Sequence, residues 1–428
     1  MLIRTIAPPI KDPVDFDIKL PACEKHVLKN GVEVYMLDMG TEDAMMVNWV
    51  FYAGNSFEMS NTVAAATNHL LKNGTSRLTA FDLNEHFDYY GSYLNRSCSN
   101  ETAELTLHCL SKQIDDLLPV VAEIIADSTF REEELETYKK ISQQKLKVGL
   151  QKCDFVASRL IDANLFGDKH PYGKFSTLLD YEVLQREQIL EFYNQYYKQG
   201  HCVIFVAGKL PPALIDQLES RFGSLPLKNH RGAEAGTQFP VNPSAQKKQM
   251  IINDEQGVQA AIRIARHFPN RHHPDFQKAI VLNNLFGGFF GSRLMANIRE
   301  DKGYTYGIHS YLLNFIHQSG WMISTEAGRD VCEATIEEVY KEMAELRDET
   351  IDAEELQVTR SYLIGTILGD LDGPFQVAAR WKNLVINNLT EQYFYNSIQT
   401  IKTVSADELQ EIAQKYLVED SFYELVVI

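Results

Sequence analysis

The sequence predicts an α+β protein of two tandem, similar domains, each an antiparallel-rich sheet covered by helices, and three observations predict it. The chain has 428 residues, too long for one ordinary core. A stretch without helical or strand period, residues 226–249, parts it near the middle and is rich in Pro, Gly, Ala and Asn. The elements on either side follow a similar order, and internal similarity at a long period marks duplication. The first domain is therefore expected at 1–225, a linker at 226–249 and the second domain at 250–428.

In the first half, Met46 to Tyr52 reads as a strand and Thr62 to Lys72 as a helix. Alternating strands follow around Tyr93 to Cys98 and Ala103 to Cys109, then Ile114, Leu117, Leu118, Val121, Ile124 and Ile125 fall on one helical face. A long polar helix starts near Arg131, and the β-branched run Val203 to Val206 closes the unit. The second half repeats this. Ile262 and Ile264 mark a strand, Asp275 to Phe286 a helix, Tyr304 to Leu313 and Trp321 to Thr325 a strand pair, and Val331 to Leu346 a helix. The segments Thr129 to Leu135 (TFREEEL) and Thr350 to Leu356 (TIDAEEL) enter the next helix with the same Thr and the same Glu-Glu-Leu. Helices are expected on one face of each sheet.

Composition narrows the function. Hydrophobic residues make up 45% and aromatics 11%, a globular balance that excludes a disordered chain. Lys plus Arg number 41 against 58 Asp plus Glu, a formal charge of −17, which argues against nucleic-acid or anionic-membrane partners. Peptides, small molecules and other proteins remain. The first twenty residues lack an apolar run, and no segment approaches the roughly 20 apolar residues of a membrane span, so a soluble, cytoplasmic chain is expected. Cys23, Cys98, Cys109, Cys153, Cys202 and Cys332 are scattered without a C-x-x-C pair and read as buried free thiols.

Three segments carry a resemblance: NHLLKNGTSRLTAFDLNEHFDYYGSYLN (Asn68 to Asn95), FGDKHPYG (Phe166 to Gly173) and FGGFFGSRLMANIREDKGYTYGIHSYL (Phe286 to Leu312). With the duplicated halves, in this order and spacing, they resemble the pitrilysin and insulinase family of zinc peptidases, inverzincins, in its half-length branch related to the mitochondrial processing peptidase. The resemblance covers nearly the whole chain. It implies an H-x-x-E-H helix, two His at i and i+4 to hold zinc and a Glu to deprotonate the bound water. The register set by Gly74 and Thr75 puts Ala65, Ala66, Thr67, Asn68 and His69 at those five positions, so only the second His survives. Ala65 offers no lone pair, and the Asn68 amide cannot take a proton at neutral pH.

The family's remaining ligand is a glutamate on the helix after TFREEEL, and Lys139 to Lys152 contains no acidic residue. Gln144 or Lys145 is the nearest equivalent, and neither suits a hydrolytic zinc, which needs three protein ligands and an open position. No cofactor is expected in this chain; His69 reads as a partly buried, hydrogen-bonded helix residue. His272 and His273 are expected to diverge, His86 to lie on a helix surface and His108 on a strand surface.

The resemblance also implies an arginine and a tyrosine, seven residues apart, facing the zinc site from the second half. IREDKGYTY supplies Arg299 and Tyr306, with Lys302 and Gly303 as a helix end between them. The guanidinium would hold a substrate carbonyl or carboxylate and the phenol would donate to the developing oxyanion. The competing reading makes Arg299 a surface charge and Tyr306 a packed strand aromatic. Gly287, Gly288 and Gly291 lack the context of a phosphate loop and suggest a tight turn between helices.

The leading expectation is a catalytically incomplete subunit, supplying Arg299 and Tyr306 to a similar-sized partner whose intact H-x-x-E-H carries zinc, for proteolysis of peptides. Their interface should exceed about 1,000 Å²; in isolation the chain could pair with itself. One alternative is a structural or peptide-capturing homologue of the same fold. A self-sufficient hydrolase has no Ser/His/Asp or Cys/His pattern to support it.

Overall fold

The computed structural model describes residues 11–232 and 239–428, and it forms two sheets, one from each half. The first sheet takes β1 (Glu24–Val27), β2 (Glu33–Asp38), β3 (Ala44–Phe51), β4 (Tyr93–Cys98), β5 (Ala103–Leu110), β6 (His201–Gly208) and β7 (Lys228–Asn229). Its order is β1-β2-β6-β3-β5-β4, with β7 also on β6; β2–β6 and β6–β7 are parallel and the other pairs antiparallel. The second sheet takes β8 (Lys248–Ile251), β9 (Gln259–Phe268), β10 (Thr305–Asn314), β11 (Ser319–Gly328) and β12 (Tyr423–Val427), in the order β10-β11-β9-β12-β8. Only β8–β12 is parallel. Every strand and helix expected from the periodicity is present, with ends moved by a few residues.

Within the expected linker, residues 228–229 extend the first sheet and β8 begins at Lys248, while 233–238 lie outside the described residues. Among the described residues no helix is long and apolar enough to cross a membrane.

The expectation of helices on one face is corrected. Each sheet is covered on both faces, and the second cover comes from the other half. In β3, Val47, Trp49 and Phe51 pack on first-half helices such as Ile114–Asp127, burying Leu117, Val121 and Ile124. The alternate face, with Tyr35, Val50, Val203 and Phe205, meets Val385 and Ile386 at the end of the second-half helix Pro374–Ile386. Reciprocally, Ala157, Ile161, Leu165 and Phe166 of the first-half helix Cys153–Phe166 cover Ala261, Ala265, Met322 and Leu425 of the second sheet. Both faces of the strand are thus covered, which explains why β3 is buried continuously from Met45 to Phe51, Asn48 included.

A charge pair pins each exchanged helix. Lys382 Nζ lies 2.9 and 2.7 Å from the Glu104 carboxylate oxygens on β5, and Arg263 on β9 pairs with Asp154 and donates to Ser158 Oγ at 3.1 Å. The fully buried Ile161, Leu165 and Phe166 each contribute roughly 1.5–3 kcal/mol by leaving water. The halves are therefore held by core packing as well as by the backbone between them.

The exchange also corrects His108. Its ring stacks on Tyr93 at 4.8 Å and meets Phe375 of the exchanged helix edge-on at 5.5 Å, so it lies under a helix instead of on a strand surface. His86 is half-buried, its Nε2 3.1 Å from the Asp116 carbonyl oxygen. All six cysteines are free, but only Cys109, Cys202 and Cys332 are buried; Cys23, Cys98 and Cys153 are partly exposed.

Candidate functional site

The helix Val63–Leu70 starts abnormally. Its N-cap, Thr62, has left-handed backbone (φ 76°) and makes no side-chain cap, so the first amides need another acceptor. Glu58 supplies it: its buried carboxylate accepts from the Ala64 amide at 2.8 Å and meets Lys174 Nζ at 2.7 Å. Burial raises the Glu58 carboxyl pKa against the opposing pull of Lys174. Lys174 directly follows the FGDKHPYG segment, whose Tyr172 hydroxyl bonds Glu101, so that segment anchors the start of the helix.

On this helix the five motif positions are closed to metal chemistry. Ala65 has no donor, and Asn68 is 3% exposed with its Nδ2 donating to the Glu104 carbonyl oxygen at 3.3 Å. The amide is thus directed into the fold and bonds strand β5. His69 corrects the expectation of a partly buried, ring-bonded histidine. It is exposed, and its hydrogen bond among the described residues is through its own carbonyl oxygen, which accepts from Arg96 Nη1. The imidazole lies 4.9 Å from the Tyr138 ring, and surrounding protein, then Arg96 and Lys145, push its pKa down to about 4. Of Gln144 and Lys145 only Lys145 is charged, and its charge adds to the downward push on His69.

Zinc does not fit these residues. One neutral imidazole beside two cations, a buried amide donor and an alanine cannot replace three anionic or imidazole ligands. Among the described residues no group of three or more His, Cys, Asp and Glu could hold a metal ion.

The second-half pair is presented differently. Arg299 sits on Met295–Asp301, a wide helical turn that ends at Lys302, with Gly303 at φ 66° where a left-handed residue is needed. Its guanidinium carbon lies 4.7 Å from the centroid of the exposed Phe290 ring, and it makes no ion pair or hydrogen bond among the described residues. Tyr306 follows at the start of β10, where the register with β11 slips between Thr305 and Ile308. It is 91% exposed, so the packed-aromatic reading of Tyr306 fails. Gly287 in the preceding turn has kinked backbone, and a Cβ there would meet Ser310 Cβ at 2.7 Å, which explains a small residue against β10.

First-half positions thus gather around one helix and the Arg–Tyr pair at one end of β10. No hydrogen bond, ion pair or ring contact joins the two groups among the described residues. His272 and His273 diverge as expected: His272 is exposed, while His273 Nδ1 accepts from the Asp275 amide at 3.1 Å. Sequence reasoning missed Glu58, Tyr138 and Arg96. Glu58 and Lys174 stand 116 residues apart, and nothing local signals their pairing.

Two family models match. Insulinase (Peptidase family M16) matches residues 40–171, and Peptidase M16 inactive domain matches residues 184–363. An uncharacterized zinc protease of Bacillus subtilis, YmxG, is 25% identical over 360 residues, 82% of this chain and 84% of its own length. The human mitochondrial-processing peptidase subunit beta is 21% identical over 418 residues, 94% of this chain and 83% of its own. Two solved structures share the fold. A peptidase M16 inactive domain from Pseudomonas fluorescens has TM-score 0.84 at 21% identity, covering 95% of this chain and 98% of that one. A protease from Helicobacter pylori has TM-score 0.86 at 18% identity, covering 96% and 100%.

Proposed function

The chain belongs to the insulinase and pitrilysin family of peptidases, and from that premise we propose that it is the zinc-free subunit of a two-subunit peptidase. A partner with an intact H-x-x-E-H supplies metal and general base, and this chain supplies Arg299 and Tyr306 for peptide cleavage. The observation that carries the reading is the contrast at the two places. The motif helix lacks the donor set, while Tyr306 stands 91% exposed and Arg299, over the Phe290 ring, makes no ion pair among the described residues. An aromatic hydroxyl and a guanidinium without internal partners suit donation to something outside the chain. That one relative is named as a subunit of a processing peptidase supports pairing.

Arg299 holds a peptide carbonyl or carboxylate through its two-pronged donor, and Tyr306 donates its hydroxyl proton toward the oxygen on which charge develops. The test is purification of a similar-sized companion chain carrying H-x-x-E-H, followed by assays of each chain alone and of the mixture on unfolded peptides. Cleavage only in the mixture is expected. Chelator-sensitive cleavage by this chain alone, or unchanged companion activity on mixing, overturns the proposal.

A further inference from the structure

Away from the Arg–Tyr pair, a cavity of about 450 Å³ opens among the second-half helices Phe276–Asn283, Ala353–Asp370, Pro374–Ile386 and Glu391–Thr403. That volume suits a small ligand. Its lining is divided. Phe276, Ile280, Ile367 and Phe394 give an apolar wall, and three charged groups, Arg271, Arg380 and Asp370, stand among the polar residues. Asp370 pairs with Arg380, which leaves the Arg271 cation in excess.

Among the described residues Arg271 makes no ion pair at contact distance, and the Glu101 carboxylate acts on it only as a nearby charge. Arg271 Nη1 donates to Asn383 Oδ1 and its Nη2 to the Asn314 carbonyl oxygen at 3.3 Å, both neutral acceptors. Its Nε is buried and finds no acceptor. A half-buried guanidinium whose hydrogen bonds all go to neutral acceptors still has its fork unpaired with a carboxylate at contact distance, and that fork matches a carboxylate. The same cavity is also lined by the apolar Phe276, Ile280, Ile367 and Phe394, which suit a hydrocarbon part of the ligand.

We infer that this cavity is a binding site for an apolar carboxylate, with Arg271 holding the carboxylate and the Phe276–Ile280–Ile367 wall taking the hydrocarbon. A free short-chain acid and the C-terminal carboxylate of a peptide ending in an apolar residue share this chemistry. The site lies in this chain alone and requires neither zinc nor a partner subunit, so its failure says nothing of the proposed peptidase role.

The test is calorimetric titration of the full chain with hexanoate, N-acetyl-Leu-Phe and N-acetyl-Leu-Phe amide, with melting temperatures recorded for every variant. At least one acid should bind, and the peptide acid, where it binds, should do so roughly 10- to 100-fold more tightly than its amide, as a charge-assisted pair implies. Hexanoate binding alone identifies a free acid, and peptide-acid binding alone identifies a chain terminus. Arg271→Gln should abolish the preference for acid over amide. Ala379→Trp, a change at an exposed position of the wall, should block both acids and keeps the test decisive where Arg271→Gln does not fold. Equal binding of acid and amide, no binding of either acid at millimolar concentration, or wild-type binding in Ala379→Trp overturns the inference.

Discussion

The helix Val63–Leu70 and the segment from Phe290 to Tyr306 carry the residues that the family resemblance singles out, and the chain presents them oppositely. On the helix, Asn68 is turned into the fold and bonds the backbone of β5, Ala65 carries no polar side-chain atom, and surrounding protein, then Arg96 and Lys145, favour the neutral His69 ring. In the second segment, Arg299 lies unpaired over Phe290 and Tyr306 projects into solvent. One region has become packing; the other still presents donors. Under the proposed function, replacing ligands on the helix leaves the second segment intact, since the two belong to different halves of the chain and pack in different cores.

The comparison breaks most sharply at Tyr306. Tyr306→Phe keeps the ring and removes only the hydroxyl, and the exposed side chain contributes little packing. Melting temperature and subunit association should stay unchanged, while kcat of the mixed complex falls by roughly 10² to 10³, the usual loss for one oxyanion donor. Arg299→Lys keeps the charge and loses the planar fork, so KM should rise more than kcat falls. Unchanged kinetics in both variants would remove this segment from catalysis and leave peptide capture as the better account.

A smaller effect is expected on the silent side. Asn68→Glu writes the family's general base back into the sequence, but places a carboxylate where an amide now donates to a carbonyl oxygen at 3% exposure. The loss of that bond and the buried charge should cost about 2–3 kcal/mol in urea unfolding. An unchanged midpoint would show that the position is open. Neither wild type nor this variant should hold stoichiometric zinc after dialysis, and one zinc per chain in the wild type, lost on His69→Ala, would contradict the account of the helix.

What was legible in the sequence follows from the range of the forces involved. The strand Tyr93–Cys98 and the helix face from Ile114 to Ile125 are written in local alternation and 3.6-residue period, and both stand where expected. The helix end and strand start around Arg299 and Tyr306 were legible because both lie within one short motif. The exchanged helices were not, since what covers each sheet is decided by a partner in the other half. His108 shows this at one residue: its period places it on a strand face, and only Phe375 decides that the face is covered. The sequence shows an amide at Asn68, but its turn toward Glu104 depends on β5, which no spacing within the helix reveals.

The smallest expected effect sharpens the comparison at His69. Its neighbours favour the neutral ring in the folded chain, with a pKa about 4 against the ordinary 6.5. Between those values the unfolded chain binds the proton more readily than the folded one, so stability falls as pH drops from about 6.5 toward 4 and is unaffected above that window. The ring is exposed, solvent screens much of the interaction, and His69→Ala should therefore only slightly flatten the acid side of the stability curve. The direct measurement is a proton titration of the histidine ring signals by NMR, with His69→Ala identifying the resonance. A midpoint well below 6.5 is expected from the surrounding protein together with Arg96 and Lys145. A midpoint at or above 6.5 would mean that those cations do not govern the ring, and the helix would then be less closed to a cation than the geometry of Asn68 and Lys145 implies.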